Sequence, residues 1–329
     1  MNKQGVLPSQ EIREFIQQGI ITLADPSSLD DAVDPDQIQP ASFDLSLGTR
    51  IYRILGRPTP EELRQSSLPR YTYLYDFELD GEGKILERDC TYLNTTREQC
   101  KYLPPGVKGY VNNKSSSGRI NVQVKTTTPL GDDIIPENEN SPLYLRLTPK
   151  LFPIKVHQKD RFNQVRFIYG KAELDDLELQ YRQKTTSFLY DVQGNPISLD
   201  EKHLNDGLIA HLDLEGDIVG YKAKKNATSV LDTWERNYEP KYFWEELNVD
   251  ERGRILLEAG EFYILSTKER ICVPPEYALE MVPYNLTAGE FRSHYAGFFD
   301  PGFGWKADGS LRGTAATLEI IPHENLYVR

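Results

Sequence analysis

Residues 114–119 of this 329-residue chain are Lys-Ser-Ser-Ser-Gly-Arg, a group of small hydroxyls and positive charges in an acidic protein. Consecutive hydroxyls and backbone N–H groups can wrap phosphate oxygens, arginine adds a bidentate fork and lysine a point charge. The candidate anion-binding residues are Lys114, Ser115, Ser116, Ser117, Gly118 and Arg119. The alternative interpretation is an ordinary polar β-turn leading into a strand.

A second candidate group lies near the end of the chain. The stretch Asp-Pro-Gly-Phe-Gly (300–304) predicts a tight turn, because proline fixes φ and glycine adopts conformations that other residues resist. The following Thr-Ala-Ala-Thr-Leu-Glu-Ile-Ile (314–321) predicts a strand, in which alternation separates Glu319 from its apolar neighbours Leu318 and Ile320. Glu319 either faces solvent or is buried for a chemical purpose.

The elements that position these groups are predicted to occur twice. Residues 92–106, YLNTTREQCKYLPPG, resemble residues 263–277, YILSTKERICVPPEY, at an offset of about 171 residues. Residues 41–48 and 210–216 also resemble each other, which aligns Asp44 with Asp213. The shared order favours a tandem duplication of one β-rich domain over chance similarity of short strands.

The two copies differ where chemistry is expected. The offset places three pairs of unlike residues together: Ser115 with Leu286, Arg119 with Glu290, and Asp300 with Pro129. The first copy also has no carboxylate in residues 143–148, where a counterpart of Glu319 would lie. Each copy therefore retains what the other lacks. We predict one composite site, whose two halves come from one chain or from neighbouring chains.

Short β-branched or aromatic segments bounded by Gly, Pro or Asp predict the fold. They are residues 49–55, 71–79, 143–147, 163–170, 262–267 and 315–321. One helix is predicted from Pro8-Ser9 to Gly19, and residues 171–183 are a helix or a connector. The predicted fold class is mainly β, with two tandem barrel or jelly-roll domains, 1–185 and 186–329, and a few short helices.

Composition excludes several classes of protein. The net charge of -12 argues against a nucleic-acid binder, although a small anionic ligand needs only a local cluster of donors. Three cysteines without C-x-x-C spacing disfavour a disulfide framework and a structural zinc site. No apolar run reaches about 18 residues and the N-terminus lacks a signal pattern, so we expect a cytoplasmic protein that does not bind membranes.

Three motifs together resemble the dCTP deaminase branch of the dUTPase superfamily, in its long tandem-domain form. They are IQPASFDLSLG (38–48), KSSSGR (114–119) and AGFFDPGFG (296–304) with the strand that carries Glu319. The resemblance covers most of the chain and implies two dUTPase-like domains. It implies hydrolytic deamination of dCTP to dUTP and ammonia, for dUTP and dTTP precursor synthesis.

The resemblance also implies the roles of individual residues. Glu319 is expected to be the catalytic acid and base, with Ser115 and Arg119 as positioning and charge-stabilising groups. The carbonyl of Ala296 would orient the attacking water. Asp300 would contact the deoxyribose, and the Phe303 ring would pack nearby.

We expect the reaction to proceed without zinc. The H-x-E…P-C-x-x-C pattern of zinc deaminases is absent from the sequence, and the five histidines show no metal-ligand spacing. Mg²⁺ is expected to arrive with the substrate triphosphate and needs no protein ligands of its own. The partner is dCTP, and relatives with one domain imply a homo-oligomer.

Alternatives remain within and outside this family. A dUTP pyrophosphatase, or a bifunctional enzyme that forms dUMP directly, would use a related fold, but the Asp-Pro-Gly-Phe-Gly turn with Glu319 favours deamination. A non-catalytic nucleotide-binding regulator is less consistent with complementary motif loss. The second copy continues only to Arg329, so we expect its last strand and any closing C-terminal segment to be missing.

Overall fold

The computed structural model describes residues 4–25, 31–65, 67–140, 142–227, 229–282 and 297–329, and the backbone of residues 291–293. These residues form a mainly β protein, 39% strand and 12% helix, which confirms the predicted fold class. No helix in these ranges is long and apolar enough to cross a membrane.

The helices and strands of the first half are, in chain order, β1 (Gly5–Val6), α1 (Ser9–Gln17), β2 (Ile21–Leu23), β3 (Phe43–Ile54), α2 (Pro60–Leu63), β4 (Tyr75–Glu78), β5 (Lys84–Leu86), β6 (Thr91–Thr96), β7 (Glu98–Cys100), β8 (Val107–Asn113), α3 (Ser115–Arg119), β9 (Val122–Thr128), β10 (Gly131–Asp132), β11 (Ile134–Ile135), β12 (Tyr144–Pro149), β13 (Ile154–Val156) and β14 (Arg161–Tyr169). The second half continues with α4 (Asp176–Gln183), β15 (Leu189–Tyr190), β16 (Gly220–Ala223), β17 (Leu231–Asp232), β18 (Trp244–Leu247), β19 (Ile255–Leu257), β20 (Tyr263–Ile271), β21 (Leu279–Glu280), β22 (Phe291–Ser293), β23 (Phe298–Phe299), β24 (Thr314–Pro322) and β25 (Leu326–Val328). Three 3-10 helices lie at Pro35–Gln37, Arg70–Thr72 and Pro240–Tyr242.

The predicted N-terminal helix is confirmed. α1 buries Ile12 and Phe15 on one face, and Gly19 follows it with a φ of 73° that ends the helix. The segment left open as helix or connector contains α4, which begins at a capping box: the Asp175 carboxylate accepts the Glu178 N–H at 2.9 Å, and the Glu178 carboxylate accepts the Asp175 N–H at 3.0 Å.

The chain forms two compact units. The first contains residues 1–172 and 226–239, and the second contains 173–225 and 240–329. In the first, the main sheet has the order β10-β9-β12-β6-β3-β14-β8-β11, and strands such as β8 alternate buried with exposed residues around an apolar core. In the second, the main sheet has the order β18-β16-β20-β24-β22.

Residues 226–239 belong to the first unit, whereas the predicted domains placed them in the second. β17 pairs in parallel with β13, so that Leu231 lies opposite Ile154. The Trp234 ring stacks on His157 with 4.0 Å between ring centroids, and its Nε1 donates to Asp160 at 2.9 Å. Sequence patterns did not indicate that residues 226–239 belong to the first unit, because a two-residue parallel strand has no periodicity of its own.

The duplication is visible in matching hydrogen bonds. The Thr96 hydroxyl donates to the Glu98 carbonyl at 2.6 Å, and the Thr267 hydroxyl donates to the Glu269 carbonyl at 2.8 Å. Both glutamates are buried. β13 also pairs with β5 in the first unit as β25 pairs with β19 in the second. The two units are therefore built on one strand plan.

A matching pair of buried tyrosines holds the turn that leads into each copy's central strand. The hydroxyl of Tyr92 accepts the Glu87 N–H at 3.1 Å, and the hydroxyl of Tyr263 accepts the Glu258 N–H at 2.8 Å. Burial raises the pKa of Tyr92 to about 12, so the hydroxyl stays neutral at physiological pH.

Replacing either tyrosine by phenylalanine leaves a turn N–H without its acceptor. We expect Tyr92→Phe and Tyr263→Phe each to lower the free energy of unfolding by about 1–2 kcal/mol in urea titrations. Tyr71→Phe is the control, because Tyr71 is 79% exposed and should change stability little. A loss confined to one variant would contradict an equivalent role in the two copies.

Candidate active site

The Lys-Ser-Ser-Ser-Gly-Arg segment is a single helical turn, α3, that follows β8 with Lys114 at its N-cap position. Ser115, Ser116 and Arg119 are exposed, while Ser117 and Gly118 are buried. The polar β-turn interpretation is therefore replaced by a short helix that presents two hydroxyls and a guanidinium to solvent.

Two of the predicted anion-binding residues anchor α3. The Ser117 hydroxyl donates to the Phe162 carbonyl of β14 at 2.8 Å, and the Gly118 N–H donates to the Lys114 carbonyl at 3.0 Å. Both groups are used inside the fold, which leaves Ser115, Ser116 and Arg119 as the residues of this segment with exposed side chains.

Lys114 is paired with a buried carboxylate. Its Nζ hydrogen-bonds Asp44 of β3, whose side chain is fully buried. Burial raises the pKa of Asp44, while the charges of Lys114 and then Arg161, and a 3.4 Å hydrogen bond from Gln39, act in the opposite direction. The lysine charge is thus directed at Asp44, and the pair fixes the start of α3 against β3.

The turn at 300–304 is held by backbone hydrogen bonds. The Gly302 N–H donates to the Val273 carbonyl, and the Val273 N–H donates to the Phe303 carbonyl, both at 2.8 Å. Gly304 has a φ of 64°, and a Cβ at this position would lie 2.2 Å from the Ile271 carbonyl oxygen, so only glycine fits. Phe303 packs against the apolar cluster of this unit.

Asp300 is half-buried at the start of this turn. The alignment of Asp300 with Pro129 is wrong in structural terms. In the first copy the Tyr102 N–H donates to the Glu139 carbonyl at 2.8 Å, as the Val273 N–H does to Phe303 in the second. The turn therefore corresponds to residues 136–139. Ala296, Leu286 and Glu290 lie outside the described residues.

Glu319 lies on β24 and is 5% exposed, so the solvent-facing alternative is wrong. Leu318 and Ile320 contact the apolar cluster of the second unit, as the alternation predicted. Across the sheet, Glu319 is opposite Ile264 of β20. A carboxylate shielded from bulk water is a candidate for proton-transfer chemistry, and this position provides that shielding.

Sheet register identifies the counterpart of Glu319 in the first copy. The equivalent cross-strand pairs are Tyr92 with Leu147 and Tyr263 with Ile320. The residue before each partner is Arg146 in the first copy and Glu319 in the second. Arg146 forms an ion pair with Asp132 at 2.7 Å. The same sheet position thus carries a buried carboxylate in one copy and a surface-directed cation in the other.

A polar cavity of about 480 Å³ lies in the second unit. Arg270 and Arg312 line it together with Asp191, Gly309 and Ser310. Guanidinium groups beside glycine backbone suit anionic oxygens. Along the chain, residues 309–313 lie between the Asp300 turn and β24, the strand that carries Glu319.

The sequence matches the profile of the 2'-deoxycytidine 5'-triphosphate deaminase N-terminal domain over residues 3–171. It matches the profile of the C-terminal domain of the same deaminase over residues 176–328. With the two β units and the buried Glu319, these matches establish the class: the chain belongs to the 2'-deoxycytidine 5'-triphosphate (dCTP) deaminase family.

Individual relatives agree with this family. The crystal structure of 2'-deoxycytidine 5'-triphosphate deaminase from Agrobacterium tumefaciens is similar with a TM-score of 0.85 and 32% identity, over 99% of this chain and 92% of that one. Proteins named "dCTP deaminase, dUMP-forming" from Methanobrevibacter smithii and Methanosphaera stadtmanae are 27% and 28% identical over 124 residues. Those two matches use 37% of this chain and span 60% and 59% of the relatives' lengths.

Removing the Lys114 charge leaves Asp44 buried without its cation. We expect Lys114→Met to lower the free energy of unfolding by about 3 kcal/mol at pH 8. The loss should shrink at pH 5: the pKa of Asp44 is raised in the folded state, which therefore takes up a proton as the pH falls and no longer needs the cation.

The measurement is urea unfolding of Lys114→Met at both pH values, with Lys108→Met as the matched control. Lys108 is an exposed lysine on β8, and its replacement should change stability little. An equal loss at pH 5 and pH 8 would contradict a charge-dependent role for the pair.

Proposed function

We propose that the protein is a dCTP deaminase that converts dCTP and water to dUTP and ammonia. The observation that carries this proposal is Glu319, a carboxylate at 5% exposure on an otherwise apolar strand, within the part of the chain that matches the family's C-terminal domain. A hydrolytic deamination needs one group that removes a proton from water and returns protons to the substrate.

In the proposed reaction, Glu319 takes a proton from the water that attacks C4 of the cytosine ring. The proton moves to N3, and the tetrahedral C4 then carries both the new hydroxyl and the amino group. Glu319 transfers the hydroxyl proton to the amino group, the C–N bond breaks, and ammonia leaves as the C4 carbonyl forms. The carboxylate ends in its starting state, so it acts in both directions of proton transfer.

The other site residues would place the substrate and the water. Exposed Ser115 and Arg119 would position groups and stabilise developing charge, supported by Ser116 and by Lys114, Ser117 and Gly118 as the frame of α3. In the second unit, Asp300 would contact the deoxyribose beside Phe303, and the Ala296 carbonyl would orient the water.

Metal requirements follow from the substrate and the sequence. Mg²⁺ would enter as part of the dCTP complex, where it neutralises phosphate charge and keeps its own waters. The deamination step itself is proposed to be zinc-independent, because the sequence lacks the paired-cysteine signature of zinc deaminases. We also propose a cytoplasmic homo-oligomer that binds neither nucleic acid nor membranes.

A second candidate is a bifunctional enzyme that also hydrolyses the triphosphate and releases dUMP and pyrophosphate. It is favoured by the names of the two curated relatives, both "dCTP deaminase, dUMP-forming". This activity would need a further water directed at the α-phosphate. Glu319 would act on the base in either case.

The amide Glu319→Gln preserves size and removes the proton-transfer group. We expect dCTP turnover to fall by at least about a thousandfold, while the dissociation constant for dCTP changes only a few-fold. Glu324→Gln, the same change at an exposed position two residues beyond β24, should behave as the native protein. Native turnover by Glu319→Gln would rule this mechanism out.

Arg119→Gln tests the contribution of α3 separately. Loss of a charge-stabilising donor should reduce kcat/KM for dCTP about a hundredfold, measured by steady-state kinetics. The exposed Lys108→Gln variant removes a charge from the strand before α3 and should keep the native kcat/KM. Unchanged kinetics in Arg119→Gln would exclude α3 from the site.

A further inference from the structure

Two histidines and a buried glutamate meet in the second unit. The Glu269 carboxylate of β20 lies with Oε1 at 2.8 Å from His211 Nδ1 and 3.7 Å from His203 Nε2. One ligand atom from each residue lies within 4.8 Å of those from the other two. The spacing of the histidines along the sequence did not indicate this cluster, because the fold brings together residues that the sequence separates.

The loop that carries the histidines is held in place. The Asp176 carboxylate of α4 accepts the N–H of Asp206 at 2.9 Å and of Gly207 at 2.8 Å, at the tip of the loop. The Ile209 N–H donates to the His203 carbonyl at 2.9 Å and closes the loop. His203 and His211 therefore flank a tight turn whose backbone is held by hydrogen bonds. Their side chains thus start from fixed backbone positions near Glu269.

Further hydrogen bonds orient the ring nitrogens. Asp200 Oδ1 lies 3.0 Å from His203 Nδ1, within hydrogen-bond distance. With the proton on Nδ1, His203 presents an unprotonated Nε2 to Glu269. The second carboxylate oxygen, Glu269 Oε2, accepts the backbone N–H of His211 at 2.6 Å. A carboxylate behind a ligating histidine is the usual support of a metal site.

The first copy shows how this glutamate is satisfied without histidines. There, Glu98 accepts the Ser46 N–H at 2.8 Å, the Ser46 hydroxyl at 2.5 Å and the Gln37 amide at 2.7 Å. His211 occupies the place of Ser46, since each donates its backbone N–H to the corresponding glutamate. The second copy has thus exchanged a hydroxyl donor for imidazole, whose neutral nitrogen can bind a cation.

We propose that His203, His211 and Glu269 bind one divalent transition-metal ion of the Zn²⁺ class, with water as the remaining ligand. Two ligand atoms of a tetrahedral zinc site, each about 2.0–2.1 Å from the ion, are about 3.3 Å apart. The distances of 2.8 and 3.7 Å from Glu269 to the two histidines lie on either side of that value, and all three ligand atoms lie within 4.8 Å of one another. Binding would displace the proton between His211 and Glu269.

The site is open to entry and distinct in role from Glu319. His211 is 49% exposed, whereas the Glu269 side chain is 6% exposed, so an ion can enter from the histidine side and reach a shielded anion. Glu319 of β24 lies opposite Ile264 of β20 in the sheet. On β20, Ile264 is on the other face of the strand from Tyr263, Leu265 and Thr267. The ion would fasten the 200–211 loop to β20 and would not take part in deamination.

The test is a Co²⁺ titration of the metal-free protein followed by visible absorption, with Zn²⁺ competition and thermal unfolding with and without Zn²⁺. We expect one Co²⁺ per chain with a d–d absorption band, displacement by Zn²⁺, and a higher melting temperature with Zn²⁺. His203→Gln and His211→Gln should each weaken binding at least about tenfold, and Asp200→Asn about tenfold through loss of orientation.

His323→Gln is the matched control, since His323 is an exposed histidine of the same unit, and it should bind as the native protein does. Circular dichroism of each variant establishes that folding is retained. Absence of stoichiometric binding by the native protein would overturn the proposal. Undiminished binding by folded His203→Gln and His211→Gln would overturn it as well, because the ion would then lie elsewhere.

Discussion

A buried glutamate at the corresponding position of each copy, Glu98 or Glu269, fixes the frame on which the candidate site depends. Glu98 accepts the backbone N–H of Ser46 and thereby joins β7 to β3. Two residues earlier on β3, Asp44 pairs with Lys114, and Lys114 begins α3. A buried carboxylate is tolerated only where such donors compensate for lost hydration. The position of α3 therefore depends on buried Glu98, which holds β3, and on the pair between Asp44 of β3 and Lys114.

The same frame supports different chemistry in the two copies. Glu269 repeats the backbone contact of Glu98 but meets imidazoles in place of a hydroxyl. The sheet position of Arg146 in the first copy carries buried Glu319 in the second. Backbone hydrogen bonds preserve the strand plan whatever the side chains are. The two copies thus share one strand plan, while corresponding positions carry different side chains.

Much of the fold could be predicted because its signals are local. Helix α1 and the strands with alternating or β-branched residues lie where periodicity and turn residues placed them. The repeat was also visible, yet one constant offset failed outside the central strand. The hydrogen bond from His211 to Glu269 makes Ser46 its counterpart, so Asp44 corresponds to Ile209 and the alignment with Asp213 was wrong. Loops of unequal length shift the register in ways that short motifs cannot reveal.

The site was predictable in its residue types and less so in its contacts. The sequence predicted an acidic residue on an apolar strand and left its burial open, which the structure shows. The hydroxyl of Ser117 and the charge of Lys114 were expected to face a ligand and instead bond within the unit. Successive side chains on one helical turn point in different directions, so a run of polar residues cannot all serve one ligand.

We propose that this protein removes the amino group of dCTP. The most direct measurement is incubation of the native protein with dCTP and Mg²⁺, with ammonia, nucleotides and pyrophosphate quantified together. We expect ammonia and dUTP in equal amounts, while equal ammonia, dUMP and pyrophosphate would identify the bifunctional form of the same deamination. Failure to release ammonia from dCTP, with or without hydrolysis of added dUTP, would contradict it.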